Sequence, residues 1–224
     1  MSKEINKEKQ NAEAIAEAVS KTDLFFQKNK NLIIGIIAAL VVVGVAFFCW
    51  HRFAYVPAVE EAQQQMYPAE ESFRSQQYDI ALNGDGDMLG FAQIIDDYGK
   101  KAGKAVYLYA GICEYNLGNY ESAINYLKSY KGGDTVLKAR ALACIGDCYT
   151  ALEDYATALS WFEKAAKAGD NALAASYLLK AGVVCEELGD NAKALNYYKS
   201  IKENYPQSIE GYDIDKYISR IETK

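Results

Sequence analysis

The sequence contains a single histidine, His51, among 224 residues, and this scarcity excludes most catalytic chemistry. Serine and cysteine triads use a histidine as the base, and residues 59–224 contain none. A zinc site needs four ligands, and His51 is distant along the chain from the cysteines beyond residue 100. We therefore expect no catalytic residue, no metal, no cofactor and no small-molecule substrate, and we predict that the chain is not an enzyme.

The one glycine-rich loop lacks the residues that a ligand-binding motif would need. Residues 83–87 read Asn-Gly-Asp-Gly-Asp. A calcium loop would place a glycine at Met88 and a bidentate acid at Ile94, and a phosphate loop would end in a Lys-Ser or Lys-Thr pair that is absent here. We predict a turn in an inserted loop.

Acidic residues outnumber basic residues after the first quarter of the chain. Residues 53–224 carry 17 Lys and Arg against 25 Asp and Glu. An acidic surface of this kind repels nucleic acid and anionic lipid. We predict no nucleic-acid partner.

Charge is absent from the nineteen residues at positions 32–50. A helix of that length is about 28 Å long, close to the thickness of the hydrocarbon core of a bilayer. The run has no polar stripe of the kind a soluble helix shows, and its aromatic end offers no cleavage site for a signal peptidase. We predict a tail (residues 1–31), an uncleaved signal anchor that crosses the lipid bilayer (32–50), a juxtamembrane linker (51–58) and an exposed domain (59–224).

Lysines are concentrated on one side of this run. Six precede it: Lys3, Lys7, Lys9, Lys21, Lys28 and Lys30. Arg52 is the only basic residue within the twenty positions that follow. The positive-inside rule then places the amino terminus in the cytoplasm. We predict a single-pass protein of the inner (cytoplasmic) membrane, with its carboxyl-terminal domain in the periplasm if the source is a Gram-negative bacterium.

Three similar segments follow one another in the second half of the chain. They read AGICEYNLGNYESAINYL, IGDCYTALEDYATALSWF and AGVVCEELGDNAKALNYY, and their first glycines lie 35 and 36 residues apart. Each segment contains two helical patterns separated by a turn. A period in the mid-thirties with two helices per unit predicts an all-α solenoid of stacked helical hairpins. Such an array has a long concave surface suited to holding another polypeptide.

Small residues recur where the two helices of each hairpin must approach closely. The predicted packing positions are Gly111, Ala123, Gly146, Ala158, Gly182 and Ala194. Large side chains such as Leu127, Phe162 and Tyr198 are expected to fill the spaces between layers. The cysteines within the repeats are predicted to pack as small apolar residues, while a disulfide between Cys113 and another unit stays open.

At these glycines and alanines the chain resembles the tetratricopeptide repeat family. The resemblance covers about half of the chain and implies three hairpins. Tyr149 meets the aromatic expected late in the first helix, whereas Glu114 and Cys185 replace it in the other two repeats. A more divergent unit is predicted before the repeats, with a helix at residues 59–66. Tyr67-Pro68 either kinks this helix or begins the next one. A capping helix is predicted at residues 209–221.

The first helix of each hairpin is predicted to turn one stripe of side chains toward the concave groove. The predicted groove residues are Leu108, Ile112, Tyr115, Arg140, Ala143, Asp147, Thr150, Ser176, Leu179, Val183 and Glu186. This set is mixed apolar and acidic. It favours a protein partner whose bound segment is extended or helical, apolar, and neutral to basic.

The whole layout is similar to the ancillary subunit family of the bacterial Sec translocon. That resemblance implies a membrane-anchored scaffold whose partners are translocon subunits and a periplasmic chaperone. A structural organiser of the envelope, linking outer-membrane or cell-wall machinery, is an alternative, as is a cytosol-facing receptor if the topology is reversed. The pair Gly35 and Ala39, four residues apart in the apolar run, is a further candidate for contact with another transmembrane helix.

Overall fold

The computed structural model of the chain describes the backbone of residues 2–168 and 173–223, and the side chains of Ser20 and of residues 25–168 and 173–223. The side chains of Lys3, Lys7, Lys9 and Lys21, on which the predicted orientation partly depends, lie outside this description. The chain divides into two units, Met1–Pro57 and Ala58–Lys224. We call the second the hairpin unit.

The amino-terminal unit is helical. Helix α1 spans Ser2–Trp50 and is followed by a π-helical turn, His51–Tyr55. In the described part of the chain, one helical segment, which begins at Phe25, is long and apolar enough to cross a membrane by length and composition. Its most apolar window has a mean hydropathy of 3.1, and none of that window is buried. The rings of Trp50 and His51 lie 5.6 and 5.5 Å from that of Tyr55, so the apolar run ends in an aromatic cluster.

The hairpin unit consists of helices and connecting turns over its described residues. Its helices are α2 (Val56–Arg74, which begins two residues before the unit), α3 (Tyr78–Asn83), α4 (Phe91–Tyr98), α5 (Ala105–Asn116), α6 (Tyr120–Ser129), α7 (Thr135–Ala151), α8 (Tyr155–Ala168), α9 (Ala174–Glu187), α10 (Asn191–Asn204) and α11 (Ile209–Glu222). The pairs α5/α6, α7/α8 and α9/α10 are the three predicted hairpins. The all-α solenoid predicted from the period of the sequence is confirmed.

Each hairpin turn is made by one residue with a left-handed backbone. Gly118 and Gly189 have φ values of +82° and +77°, and Glu153 occupies the equivalent position with φ +59°. The residue that follows donates its N–H to a carbonyl five residues earlier, as Asp154 does to Tyr149 at 2.9 Å. These bonds close the first helix of each pair in the manner of a Schellman motif. Glu153 shows that this turn does not depend on glycine alone.

The glycine of each first helix packs against a large side chain of the second helix. A Cβ atom on Gly111 would lie 2.6 Å from Leu127, and one on Gly146 would lie 2.6 Å from Phe162. Gly182 lies against the ring of Tyr198 with even less space. The alanines one turn before these large residues, Ala123, Ala158 and Ala194, are fully buried. Close helix contact therefore needs glycine on one side and a bulky side chain on the other.

Helices α2, α3 and α4 precede the three hairpins. Helix α2 continues through Pro68, so of the two predicted alternatives the start of a new helix at Tyr67-Pro68 is wrong. The glycine-rich loop separates α3 from α4, and within it the Asp85 carboxylate accepts hydrogen bonds from the N–H groups of Asp87 and Met88. Met66 and Phe91 of this part of the chain are buried in one core cluster with Val106 and Ala110 of α5, so the cluster joins it to the first hairpin.

Helix α11 covers the last hairpin. Its apolar residues Ile214 and Ile218 are buried in the core cluster that contains α9 and α10. The ring of Tyr217 lies 5.3 Å from that of Tyr198. The Ser208 side chain accepts the N–H of Gly211 at 2.9 Å and starts the helix. This segment is the capping helix that the sequence predicts.

Candidate protein-binding groove

Helices α5, α7 and α9 are the first helices of the three hairpins, and their exposed faces enclose two adjoining hollows. The first has a volume of about 310 Å³ and is lined by Ile112, Tyr115, Asn116, Arg140, Ala143, Cys144, Asp147, Leu173, Tyr177 and Lys180. The second has a volume of about 180 Å³ and is lined by Asp147, Thr150, Phe162, Leu179, Lys180, Val183 and Val184. Asp147 and Lys180 belong to both hollows. We call the two hollows together the groove.

Most of the residues that the helical stripes assign to the groove lie there. They are Ile112, Tyr115, Arg140, Ala143, Asp147, Thr150, Leu179 and Val183. Tyr115 and Leu179 are half-buried, and Val183 is exposed over 38% of its surface. Ala143 is only 3% exposed and forms part of the floor. A segment bound in the groove would meet apolar side chains from all three hairpins.

Three of the predicted groove residues lie elsewhere. Leu108 is 3% exposed and packs in the core cluster with Ile124 and Leu127, so the assignment of Leu108 to the groove surface is wrong. Glu186 accepts a hydrogen bond from the Tyr198 hydroxyl and pairs with Arg220 of the capping helix. Its carboxylate therefore joins the last hairpin to its cap and does not face a partner.

The third of these residues, Ser176, is half-buried and lines neither hollow. It stands four positions before Lys180 on α9, on the same side of the helix. The groove wall from α9 is therefore formed by residues from Tyr177 onward.

The groove contains an ion pair that was not predicted from the sequence. The Lys180 Nζ atom donates to both carboxylate oxygens of Asp147 at 2.7 Å. The ammonium group also lies 5.8 Å from the centre of the Phe162 ring. Lys180 lies four residues after Ser176 and three before Val183, so the helical period used for the other residues could have found it. The pair links α9 to α7 and fixes a polar centre between the two hollows.

Burial raises the pKa of Asp147 above its ordinary value, and the charge and hydrogen bonds of Lys180 oppose this increase. The carboxyl group of Asp147 thus binds its proton more tightly in the folded protein than in the unfolded chain. The contribution of Asp147 to stability therefore falls as the pH rises through the interval between its unfolded-state and folded-state pKa values.

Replacing Lys180 with Met is expected to raise the pKa of Asp147 further, because the burial remains while the ammonium group that opposes it is removed. The Asp147 carboxyl ¹³C chemical shift, followed through a pH titration of the full chain in detergent, measures this change. Lys167→Met is the matched control, since Lys167 is an exposed lysine on α8. An equal Asp147 pKa in the two variants would show that the ion pair does not form.

The cysteines of the hairpins are free and buried. Burial raises the pKa of Cys113 to about 12 and that of Cys185 to about 11. A hydrogen bond with Cys144, together with burial, raises the pKa of Cys148 as well. Thiols in this state are poor nucleophiles and poor metal ligands. The described residues contain no group of His, Cys, Asp and Glu arranged to hold a metal ion.

Sequence comparison identifies the repeats. The sequence pattern of the tetratricopeptide repeat family matches residues 137–207, and a second pattern of the same family matches residues 105–132. Together these matches cover the helices from α5 to α10. Residues 105–207 therefore contain tetratricopeptide repeats, and repeats of this type support a role in binding other proteins.

Solved structures share this fold. A structure described as "Crystal structure of MamA protein" has a TM-score of 0.55 and 19% identity, covering 73% of this chain and 87% of that one. Another, "Crystal structure of MamA", has a TM-score of 0.52 and 18% identity, covering 69% of this chain and 92% of that one. At these identities the likeness concerns the fold alone. A search of curated proteins finds no relative.

Proposed function

We propose that the protein is a membrane-anchored scaffold that holds a segment of another protein in the groove. One observation carries this proposal: the first helices of three successive hairpins present an open, largely apolar surface around a single fixed ion pair. Apolar side chains such as Tyr115 and Leu179 supply binding energy. The Asp147–Lys180 pair supplies a polar feature that orients the segment.

The charge of the groove favours an apolar, uncharged segment. The sequence predicts a mixed apolar and acidic groove, but Glu186 is paired with Arg220 of the capping helix and Asp147 is paired with Lys180. Arg140 remains exposed at the edge of the first hollow. The groove surface is thus close to neutral with a slight positive balance. A basic segment would gain little there, whereas an extended or helical apolar segment would bury its side chains in both hollows.

The proposal places the hairpin unit on the outer side of the cytoplasmic membrane. Residues 32–50 supply an exposed apolar helix of sufficient length, and the Trp50–Tyr55 ring cluster resembles the aromatic belts found at membrane surfaces. The excess of lysine before residue 32 favours a cytoplasmic amino terminus. This position, together with the layout of the chain, favours an accessory role near the secretion translocon and its periplasmic chaperones.

Protease added to intact spheroplasts is expected to digest the hairpin unit and to leave the residues before position 32 protected, because the membrane shields only the cytoplasmic side. Immunoblotting with antibodies against each end of the chain measures the two fragments. Lysed spheroplasts provide the control, since both ends then become accessible. Protection of the carboxyl-terminal end in intact spheroplasts, together with its loss after lysis, would contradict the proposed orientation and the translocon role.

A further inference from the structure

A third cleft, larger than either hollow of the groove, lies at the junction of the first two hairpins. Its volume is about 610 Å³. It is lined by Leu127, Lys128, Tyr130, Lys131, Gly132, Lys138, Ala141, Leu142, Ile145 and Trp161. These residues come from the end of α6, the loop that follows it, α7 and α8. We call this site the lysine cleft.

The lysine cleft lies on the opposite face of α7 from the groove. It uses Lys138, Ala141 and Ile145, whereas the groove uses Arg140, Ala143 and Asp147. Each of these groove residues follows one of the cleft residues by two positions along α7. Because successive residues are turned by about 100° on a helix, positions two apart point in nearly opposite directions. A ligand in the lysine cleft would therefore not compete with one in the groove.

The cleft has basic walls and an apolar floor. Lys128, Lys131 and Lys138 are exposed, and no ion pair involves them among the described residues. The nearby Asp134 carboxylate caps α7 by accepting the N–H of Leu137 at 2.8 Å. This concentration of positive charge occurs in a region of the chain, residues 53–224, that is acidic as a whole.

Trp161 forms the aromatic side of the cleft and is surrounded by ammonium groups. The Nζ atoms of Lys128 and Lys164 lie 5.8 and 4.1 Å from the centre of its ring. The Lys128 ammonium also lies 3.5 Å from the Tyr149 hydroxyl. Such contacts hold lysine side chains near the cleft without neutralising their charge.

The next junction along the solenoid has the same architecture but paired charges. Glu163 stands 35 residues after Lys128, and Tyr197 stands 36 residues after Trp161. There the Tyr197 hydroxyl donates to Glu163, and Lys193 lies 3.0 Å from the same carboxylate. The charges of the second junction are thus satisfied within the protein. At the first junction the equivalent position is a cation whose counter-charge is not supplied by the described residues.

We propose that the lysine cleft binds an acidic peptide segment of a partner protein. Two or more carboxylates of the segment would pair with the lysines, and an apolar side chain between them would rest on Leu142, Ile145 and Trp161. The volume lies within the range of about 300–1,000 Å³ typical of ligand sites, well beyond what one anion fills. The site is a concave cleft between helices, which a narrow peptide segment can enter and the broad surface of a bilayer cannot, so a peptide is the favoured source of the carboxylates.

Fluorescence anisotropy with a labelled peptide of alternating Glu and Leu tests this proposal, using the full chain in nonionic detergent. The parent is expected to bind this peptide at least about tenfold more tightly than the matched Gln/Leu peptide. Lys128→Glu combined with Lys138→Glu should weaken binding by at least about tenfold, since two attractive contacts become repulsive. Binding should also weaken as NaCl rises from about 50 to about 200 mM.

Lys167→Glu is the matched control, because Lys167 lines the charge-paired cleft of the second junction. It should change the affinity by less than about twofold. The exposed lysines leave folding intact, which circular dichroism checks, and Trp161→Leu provides an independent second variant that should also weaken binding. Groove variants should leave binding of the acidic peptide unchanged, so failure of this site is distinguishable from failure of the groove.

An equal loss of affinity for the Glu/Leu peptide in the Lys128→Glu/Lys138→Glu variant and in Lys167→Glu would overturn the proposal, because it would reveal a nonspecific charge effect. Equal binding of the Glu/Leu and Gln/Leu peptides would do the same. Binding to vesicles that contain phosphatidylglycerol tests whether the ligand of the cleft is an anionic lipid instead of a peptide. Binding of the parent to these vesicles but not to the Glu/Leu peptide would also overturn it.

Discussion

Gly146→Leu is expected to destabilise the hairpin unit by about 1–3 kcal/mol or more, the largest loss we predict for a single substitution. A Cβ atom at this position would already lie 2.6 Å from the Phe162 ring, and leucine adds three further carbons. The two helices must separate, or Phe162 must leave its fully buried site. Because each hairpin packs only against its neighbours, the damage should extend to the adjacent hairpins. Urea unfolding of the full chain, followed by circular dichroism, measures the loss.

Gly133→Leu is the matched control for this substitution. Gly133 lies in the loop before α7, and a Cβ atom there would meet nothing within 4 Å. Its unfolding midpoint should stay close to that of the parent. Phe162→Ala should partly rescue Gly146→Leu in a double-mutant cycle, because it removes the ring that the leucine displaces. If Gly146→Leu unfolded at the same urea concentration as Gly133→Leu, the close packing of α7 on α8 would be wrong.

Replacing both Tyr115 and Leu179 with Asp is expected to weaken partner capture by at least about a hundredfold, since a few apolar anchors supply most of the energy of an interface at about 2 kcal/mol or more each. The two residues line different hollows of the groove. Both are half-buried, so we expect a moderate loss of stability as well. Quantitative co-purification from solubilised membranes measures the capture.

Tyr212→Asp combined with Ile209→Asp is the matched control for the groove variant. These residues introduce the same chemical change on the capping helix, where they are 76% and 86% exposed. This control should retain the partner. If the control and the groove variant retained the partner equally well, the groove would not be the binding surface.

The sequence predicts the hairpins well because each one is encoded by short-range features. The helical periods, the turn after each first helix and the glycine facing a bulky residue all lie within one repeat of 35 or 36 residues. Because the repeat pattern occurs three times, it can be distinguished from a chance similarity. Gly146 and Phe162, for instance, are sixteen residues apart, and their contact recurs as Gly182 with Tyr198.

The groove is predicted less completely because its side chains are arranged by contacts between repeats. Glu186 has the helical spacing of a groove residue, yet its carboxylate forms an ion pair with Arg220 of the capping helix. The helical period places Lys180 on the groove stripe of α9, but it does not reveal the pairing of Lys180 with Asp147, because the two residues are 33 positions apart and belong to different helices. The helical period places Leu108 on the concave side, but Leu108 is buried against Ile124 and Leu127 of α6. Whether such a side chain faces the groove depends on how its helix packs against the neighbouring helices.

The lysine cleft was not predicted for the same reason. Lys128, Lys138 and Trp161 belong to three different helices, and nothing in their local sequence indicates that they meet. In the sequence, Lys128 and Lys138 look like ordinary surface lysines of an acidic domain. The cleft becomes visible only when its lining is compared with the equivalent junction at Glu163.

The most direct test of the account is photo-cross-linking in intact membranes with benzoylphenylalanine placed at Tyr115 in the groove, or at Asn125 on the exposed side of α6. If the groove holds a segment of another protein, irradiation of the Tyr115 position should yield a discrete cross-linked band that disappears when Leu179 is also changed to Asp. The Asn125 position should yield no such band. A band of equal yield from Asn125, unaffected by Leu179→Asp, would contradict the assignment of the groove as the working surface.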